Sequence, residues 1–407
     1  MEKRTDNGRQ LTIPPPPTAA YLHIPFCRRR CYYCDFAVSV VGDRRQGENS
    51  GMIKEYVGVL CREITTEPQG GVPLQTVFFG GGTPSLLSVG QFDRILRTLD
   101  RHFRIAPDAE ISVEMDPGTF DLEKLQGFVA AGANRVSVGV QAFQDELLQH
   151  CGRSHTVADT FEAIEMIHQV GVANFSIDLI SGLPHQTPEL WQASLEAALA
   201  LNPPHLSHYD LIVEPKTPFG RYYQPGEPPL PDEETTADFY RQAQDLLTSR
   251  GYRHYEVSNY ARPGFECRHN LVYWKNRPYY GFGMGAASYV GGHRLTRPRT
   301  RDRYYRWVEA GDKLAGAEAI ARSPDILLET LMLGLRLAEG LDLDRLERQF
   351  GRDVLAQIHD TLEPYRDRGW VAVTGRRLRL TDPEGFLFSN TILADLFDRL
   401  EAVALPS

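Results

Sequence analysis

The sequence predicts an α/β fold, a partial barrel of about six parallel βα units followed by a smaller helical, winged-helix-like C-terminal domain. From Ala20 to about residue 213, short β-rich runs alternate with helical segments, which is typical of parallel strands joined by crossover helices. Beyond residue 310 the alternation stops and helical patterns predominate. Because six units are too few to close an eight-stranded barrel, we expect an open barrel with ligands at the carboxyl ends of its strands.

The strands and helices of the barrel are each bounded by glycine or proline. The expected strands are short runs rich in β-branched and aromatic residues, at 21–25, 76–79, 111–115, 135–140, 175–180 and 206–213. The expected helices lie between them, at 53–66, 90–102, 121–131, 157–170 and 188–201.

Four segments follow from these patterns and from the shifts in composition. We expect a flexible extension at 1–19, the barrel domain at 20–235, an extension of the barrel at 236–310 and a C-terminal domain at 311–407. In the last, helical patterns at 323–365 and 390–400 flank an alternating hairpin at 369–380. Winged-helix modules often bind DNA, but the mixed charges here favour packing or contact with a partner.

Length and composition narrow the class of protein. The 407 residues, with 42% hydrophobic and 24% charged residues, are typical of a soluble globular protein with more than one core. A formal net charge of −9 argues against general nucleic-acid binding, so no nucleic-acid partner is expected.

The N-terminal residues and the apolar runs indicate where in the cell the protein is expected. Residues 1–19 lack the apolar core of a secretory signal, and no stretch approaches the roughly 18 apolar residues of a membrane-spanning helix. We therefore expect a cytoplasmic protein without a transmembrane segment, and peripheral contact with a membrane stays open.

Three of the six cysteines, Cys27, Cys31 and Cys34, stand within eight positions directly after the first expected strand. In a reducing compartment such crowding favours metal ligation over disulfides. Structural zinc sites and ferredoxin clusters usually take four protein ligands, whereas three ligands leave one metal position open for chemistry. A zinc site completed by His23 is the alternative.

Polar residues and glycines stand where the expected strands end. The Gly-Gly-Gly-Thr run at 80–83 ends the second strand, where missing side chains let the backbone approach a ligand closely. Glu114, Gln141 and Asp178 end three further strands, and Arg153 could bind a carboxylate. Because the carboxyl ends of parallel strands lie at the same end of a barrel, these residues are expected to form one common site. The alternatives are that the glycine run forms an ordinary turn and that each of the polar residues only caps a strand or a helix.

The C-x₃-C-x₂-C spacing after the first strand of a barrel resembles the signature of the radical S-adenosylmethionine (SAM) enzymes. This resemblance implies a partial (βα)₆ radical SAM barrel and an oxygen-sensitive [4Fe–4S] cluster, with Cys27, Cys31 and Cys34 each on a different iron. It also implies that the fourth iron binds the amino and carboxylate groups of SAM. An electron donor then supplies the electron that cleaves the sulfonium bond.

The run from Tyr21 to about residue 213 resembles the oxygen-independent coproporphyrinogen III dehydrogenase group. The shared motifs are YLHIPFC, GGGTP, NRVSVGVQ and IDLISGLP. By position, the resemblance implies that SAM is bound by Tyr21, Tyr33, Gly81, Gly82, Thr83, Glu114, Gln141, Arg153, Asp178 and Ile212.

Two features favour a sister family, the haem chaperones called HemW. The dehydrogenase has a further cysteine two positions beyond the third, where this chain has Phe36. The segment Cys267-Arg-His-Asn-Leu-Val-Tyr-Trp also resembles the H-N-x-x-Y-W motif of the chaperones, and the C-terminal module resembles their appended domain.

The H-N-x-x-Y-W resemblance implies a haem site in the segment 267–274. Its candidate residues are His269 as the iron ligand, Cys267 as an alternative ligand, and Asn270, Tyr273 and Trp274 beside the macrocycle. The alternative is that His269 is a structural, hydrogen-bonded histidine and Trp274 a core residue.

Three functions remain open from the sequence. The first is a haem chaperone that passes haem to apo-proteins that require it. The second is a coproporphyrinogen III dehydrogenase that decarboxylates two propionates, and the third is a zinc-binding structural or regulatory protein. The sequence assigns no catalytic residue.

Overall fold

The structure is a computed structural model that describes residues 15–43, 47–311 and 323–404, together with 5–6, 9–10 and 318–319. The predicted extension 1–19 and the predicted domain 311–407 therefore fall partly outside the described residues. The boundaries at residues 235 and 310 stay predictions.

All six predicted parallel strands are confirmed. They are β1 (Ala19–Ile24), β2 (Leu74–Gly81), β3 (Ile105–Met115), β4 (Arg135–Gln141), β5 (Phe175–Ser181) and β6 (His205–Asp210). β3 begins six residues before the predicted start, since Ile105 already pairs with Leu74 across a register shift. β6 ends at Asp210, three residues before the predicted end, because its last ladder partner is Ser181 at the end of β5.

The sheet is wider than the six predicted strands. Three further strands join it, β7 (Arg253–Glu256), β8 (Asn259–Ala261) and β9 (Tyr280–Phe282). The order across the sheet is β7-β8-β6-β5-β4-β3-β2-β1-β9, in which β8 runs antiparallel to β6 and β7, and β9 runs parallel to β1. The segment that carries the H-N-x-x-Y-W motif therefore leads directly into the strand beside β1.

The five predicted helices of the barrel are confirmed to within a few residues, and five further α-helices lie in the described part of the same half of the chain. They are α1 (Gly51–Thr66), α2 (Val89–Phe103), α3 (Leu122–Ala131), α4 (Asp145–His150), α5 (Val157–Val170), α6 (Pro188–Ala200), α7 (Pro218–Tyr222), α8 (Glu233–Ser249), α9 (Arg268–Trp274) and α10 (Arg301–Ala310). Capping boxes begin α2 at Ser88 and α5 at Thr156, and these side chains satisfy backbone N–H groups that the helix leaves free.

The C-terminal part combines helices with a small antiparallel sheet. Its helices are α11 (Ser323–Gly334), α12 (Leu343–Phe350), α13 (Arg352–Asp367), α14 (Glu384–Leu387) and α15 (Ser389–Ala404). A hairpin of β10 (Ala287–Val290) and β11 (His293–Thr296) precedes these helices. The predicted hairpin consists of β12 (Val371–Thr374) and β13 (Arg377–Leu380). Between the two hairpins the chain passes from one hydrophobic core to the other. The two-residue strand Leu341–Asp342 pairs with β13 and completes a three-stranded sheet.

Two hydrophobic cores are separate. The larger core lies between the barrel strands and the helices α1, α2, α3, α5, α6, α8 and α10. The smaller one is built mainly from residues 327–400 with Tyr240 of α8. Polar contacts bridge the two, including an ion pair of Arg241 with Glu384 at 2.7 Å. Among the helices of the described ranges, none combines the length and the apolar character needed to cross a bilayer.

A buried ion pair fixes the segment after β9 to α1. The Nε of Arg297 lies 2.8 Å from Oε1 of Glu63, and both side chains are fully buried. The hydroxyl of Tyr304 and the backbone N–H of Gly283 donate to the other oxygen of Glu63, at 2.7 and 2.8 Å. The carboxylate therefore joins three elements in one network.

We expect Glu63→Ala to lower the free energy of unfolding by about 3–5 kcal/mol, because it removes the closest counter-charge of the buried Arg297 guanidinium and leaves the more distant Glu67, at 3.9 Å. Urea unfolding followed by circular dichroism measures the change. Asp93→Ala is the control, since it removes a partly exposed ion pair with Arg97 on α2 and should change the stability little. Equal effects of the two substitutions would contradict the expectation.

Candidate functional site

The three clustered cysteines lie in the loop that follows β1, at the carboxyl end of the barrel strands. Phe26–Cys27 pairs in parallel with Ser39–Val40, so the loop is closed at its base by backbone hydrogen bonds. The N–H of Cys34 donates to the carbonyl of Cys31 at 3.2 Å. All three thiols are free and partly exposed. Burial, followed by the charge of Asp116, raises the pKa of Cys27 to about 12, so iron binding there must displace a proton.

The glycine run after β2 lies against this loop. The N–H of Gly82 donates to the carbonyl of Ile24 at 2.9 Å, and the N–H of Thr83 donates to the carbonyl of Phe26 at 2.7 Å. A Cβ on Gly82 would stand 2.7 Å from that Phe26 oxygen and 2.9 Å from Sγ of Cys27. Gly81 has a φ of +115°, and a Cβ there would overlap the ring of His23. The absence of side chains lets the two loops touch.

A chain of polar contacts links the glycine run to the cysteine loop. The hydroxyl of Thr83 donates to Asp116 at 3.0 Å, and Asp116 forms an ion pair with Arg153 at 2.7 Å. Arg153 also donates to Sγ of Cys31 at 3.4 Å and to the carbonyl of Gly139 at 2.8 Å. A buried cation therefore stands against one of the three thiols, where it offsets negative charge on a thiolate or a bound cluster.

A cavity of about 200 Å³ lies inside the barrel. Its walls combine residues that were predicted to bind SAM with residues that were predicted to bind haem. The lining side chains are Tyr21, Phe78, Glu114, Arg135, Ser137, Asp178, Ser207, Tyr209, His269, Asn270 and Tyr273. Strand register brings the polar ones together, because Glu114 stands opposite Ser137 and Asp178 opposite Ser207.

Two carboxyl groups dominate this cavity. Glu114 accepts the N–H of Gly81 at 3.0 Å, and Asp178 accepts the hydroxyls of Ser137 and Ser176 at 2.9 and 2.8 Å. Burial raises the pKa of both groups, and the neighbouring Asp178 helps to raise that of Glu114 to about 8. These are the acceptors that hydroxyl or ammonium groups of a ligand would meet.

The raised pKa of Glu114 gives a pH prediction. In the unfolded chain this group titrates near its ordinary value of 4.5, so the folded chain binds more protons between about pH 5 and 8. Its contribution to stability is therefore present at low pH and is lost as the pH rises through 8. Compared with Glu114→Gln, the ligand-free wild type should lose on the order of 1–3 kcal/mol of unfolding free energy between about pH 5.5 and pH 8. Urea titrations at both pH values test this, and parallel profiles would refute it.

The H-N-x-x-Y-W motif forms α9 at the amino-terminal half of the barrel strands, away from the cysteine loop. His269 is fully buried, and its ring stacks on Phe78 with centroids 5.2 Å apart. Its Nδ1 is hydrogen-bonded to the hydroxyl of Thr76 at 2.8 Å and its Nε2 to the hydroxyl of Tyr273 at 2.9 Å. Burial, with the charge of Arg135, lowers the pKa of His269 to about 3, so the imidazole is neutral.

The other motif residues divide between the cavity and the outside of the barrel. Asn270 and Tyr273 are half-buried and line the cavity, whereas Trp274 lies outside it with the guanidinium of Arg336 6.0 Å from its ring. Cys267 is fully buried, and burial raises the pKa of its thiol to about 12.

The remaining residues predicted for SAM lie at different depths. Tyr33 packs on Phe219 in a small core beneath the cysteine loop. Gln141 ends β4 with a φ of +69°, a strained conformation that is frequent at functional sites. Ile212 follows β6, is 71% exposed and does not line the cavity.

Several lining residues were missed by the sequence analysis. They are Phe78, Arg135, Ser137, Ser207 and Tyr209, and Asp116 beside Arg153 was missed as well. The available signal was the alternation of polar residues inside apolar strands, such as Arg135 and Ser137 in β4, since alternate residues of a strand face the same side.

Three free thiols in one loop, with Arg153 beside one of them, fit an iron–sulfur cluster that has three protein ligands. In the part of the chain that the structure describes, no three His, Cys, Asp or Glu side chains are grouped to hold one metal ion. Each of the three thiols could hold a different iron of a cluster, and Arg153 supplies a compensating charge. His23, the fourth ligand of the zinc alternative, has both ring nitrogens in hydrogen bonds, to Tyr21 and to the carbonyl of Ala37.

Comparisons with known proteins agree with this geometry. Residues 21–198 match the family model of the radical SAM superfamily, and residues 322–388 match that of the HemN C-terminal domain. Among solved structures, coproporphyrinogen III oxidase (HemN) from Escherichia coli is similar, with a TM-score of 0.80 and 26% identity, covering 96% of this chain and 91% of that one.

Similar curated proteins carry the name heme chaperone HemW. The protein from Synechocystis is 49% identical over 95% of this chain and 97% of its own length. The protein from Bacillus subtilis is 35% identical over 94% of this chain and all of its own length. The protein from Escherichia coli is 38% identical over 70% of this chain and 74% of its own length.

Proposed function

The chain belongs to the HemW family of radical SAM proteins, and from that premise we propose that it is a haem chaperone. It binds haem, carries SAM on a [4Fe–4S] cluster, and passes haem to apo-proteins that require it. The observation that carries the proposal is the 49% identity to the Synechocystis heme chaperone HemW over nearly the full length of both chains.

The cluster would be held by Cys27, Cys31 and Cys34, and when bound it supplies an electron to SAM. Arg153 would offset the added negative charge through its contact with Cys31. Glu114 and Asp178 would accept hydrogen bonds from SAM inside the barrel, and the bare backbone of Gly81 and Gly82 would leave room for it. An electron donor and a cytoplasmic location belong to the same proposal.

For haem, α9 supplies the candidate ligand. Because both nitrogens of His269 are already hydrogen-bonded, iron would have to displace Thr76 or Tyr273 from the imidazole. Haem ligation is therefore expected to require a rearrangement at α9, and a neutral imidazole is the form that ligates a metal.

The experiment is an anaerobic haem titration of the full chain with its cluster reconstituted. We expect saturable uptake of one haem, weakened at least about tenfold in His269→Ala, which corresponds to about 1.4 kcal/mol of lost binding. His168→Ala, on the exposed face of α5, is the control and should bind as the wild type does. The absorption spectrum of ferric haem should also change in His269→Ala, which a merely destabilised protein would not explain. An identical titration and spectrum would remove His269 as the ligand.

The second candidate is a coproporphyrinogen III dehydrogenase. Its support is the similarity of the whole fold to the Escherichia coli HemN structure. Against it stands Phe36, 57% exposed, at the position where the dehydrogenase group has a further cysteine. Release of 5′-deoxyadenosine coupled to consumption of coproporphyrinogen by the reconstituted protein would favour the dehydrogenase and contradict the chaperone.

A further inference from the structure

Arg135 is a buried cation inside the barrel. It is the first residue of β4, its side chain is 2% exposed, and it lines the cavity. Its Nε is buried and has no hydrogen-bond partner within the described residues. The carboxyl groups that act on it do so through space, and they are those of Glu110 and Asp178.

The two carboxylates near Arg135 are already occupied by other donors. Glu110 accepts the first two backbone N–H groups of α9, each at 3.0 Å. Asp178 accepts the hydroxyls of Ser137 and Ser176, one on each oxygen. These carboxylates attract the guanidinium from a distance, but they accept their hydrogen bonds from other groups. The guanidinium N–H groups of Arg135 are therefore available to a ligand in the cavity.

A buried guanidinium without hydrogen bonds is unfavourable, and native structures rarely keep one without a use for it. The rigid fork of arginine matches the two oxygens of a carboxylate and binds them with parallel hydrogen bonds. The ligand that best completes this site is therefore a carboxylate.

The position of Arg135 separates it from the site of the cluster. It begins β4, and Gln141 ends the same strand six residues later, a rise of about 20 Å at about 3.3 Å per residue. Arg135 therefore lies at the floor of the barrel, on the side where α9 supplies His269 and Asn270 to the cavity wall. The cavity, about 200 Å³, is smaller than sites that enclose a whole organic cofactor, so it takes an arm of a ligand.

We infer that Arg135 binds a carboxylate group that enters the barrel cavity at its floor. Two molecules could bring this group, haem through a propionate and SAM through its methionine carboxylate, the latter in place of its expected position on the cluster iron. The position beside α9 favours the propionate. That choice of source rests on the proposed function, whereas the carboxylate site itself does not.

The test compares four probes on the full chain with its cluster reconstituted, under anaerobic conditions. Haem is compared with haem dimethyl ester, and SAM with decarboxylated SAM, because each pair differs only in its carboxylate. The variants are Arg135→Met, Arg135→Lys, which keeps the charge but not the fork, and Arg262→Met as the control. Arg262 also has a buried Nε without a hydrogen-bond partner among the described residues, but it lies over Tyr252 and outside the cavity. Thermal unfolding shows that each variant is folded.

With a propionate as the ligand, Arg135→Met weakens haem binding at least tenfold and leaves the binding of the dimethyl ester unchanged, while Arg135→Lys recovers part of the loss. With the SAM carboxylate as the ligand, the same loss appears for SAM and not for decarboxylated SAM. Equal binding of all four probes by Arg135→Met and the wild type overturns the inference, and so does an equal loss for all four. If the wild type binds no haem, the proposed function fails while the SAM pair still tests Arg135.

Discussion

Replacing any one of Cys27, Cys31 and Cys34 by alanine is expected to abolish the iron–sulfur cluster. In the proposed cluster each thiolate would hold a different iron, so with two thiolates left a second corner of the cluster would lose its protein ligand. After anaerobic reconstitution, bound iron should fall from about four per chain to nearly none, and the broad visible charge-transfer absorption should disappear. Iron and sulfide analysis together with the absorption spectrum measure the effect.

The matched control is Cys61→Ala. Cys61 is a buried, free cysteine of α1 that lies outside the cysteine loop, so its loss should leave the iron content unchanged. Full iron in any one of the three loop variants would refute the assignment of that cysteine. Zinc in place of iron in the reconstituted wild type would instead support the zinc alternative.

The second large effect is expected from Gly82→Ala. The added methyl group would stand 2.7 Å from the carbonyl oxygen of Phe26 and 2.9 Å from Sγ of Cys27, and the first of these is a backbone atom that cannot turn away. The cysteine loop must shift, so the protein should lose most of its bound iron and about 1–3 kcal/mol of unfolding free energy. Iron analysis and urea unfolding of the same preparation separate the two losses.

Gly58→Ala serves as the control for this change. Gly58 lies within α1, and a Cβ there would meet no atom within 4 Å. Alanine in the middle of a helix is favoured over glycine by about 0.5–1 kcal/mol, so this variant should be slightly more stable and should keep its iron. Normal iron content in Gly82→Ala would show that the close approach of the two loops is not needed for the cluster.

The parallel strands were predictable because they are regular. Each is a short apolar run with turn residues on both sides, and all six were confirmed. The three-residue strand Tyr280–Phe282 was not predicted, because its Tyr-Gly-Phe sequence carries no strand pattern. It pairs directly with β1, and Gly283 after it contacts Glu63 of α1, so its place rests on contacts that are distant in the sequence.

The sequence predicted several residues of the candidate site, but which side chains reach the interior of the barrel was harder to predict. Glu114 stands near the end of β3, as the sequence predicts, whereas Asp178 lies in the middle of β5, and both reach the cavity. Arg135 stands at the beginning of a strand, and its alternation with Ser137 indicates a shared face but not that this face is the inside of the barrel. The burial of His269 also depends on Thr76 and Phe78, almost two hundred residues earlier in the chain.

The most direct test of the central claim is the anaerobic absorption spectrum of the reconstituted full chain before and after one equivalent of haem. The account predicts broad iron–sulfur absorption first and then, on addition of haem, a protein-bound haem band that saturates at about one haem per chain. Addition of an apo-protein that requires haem should then deplete this band. A chain that shows cluster absorption, leaves haem free and consumes coproporphyrinogen would contradict the account.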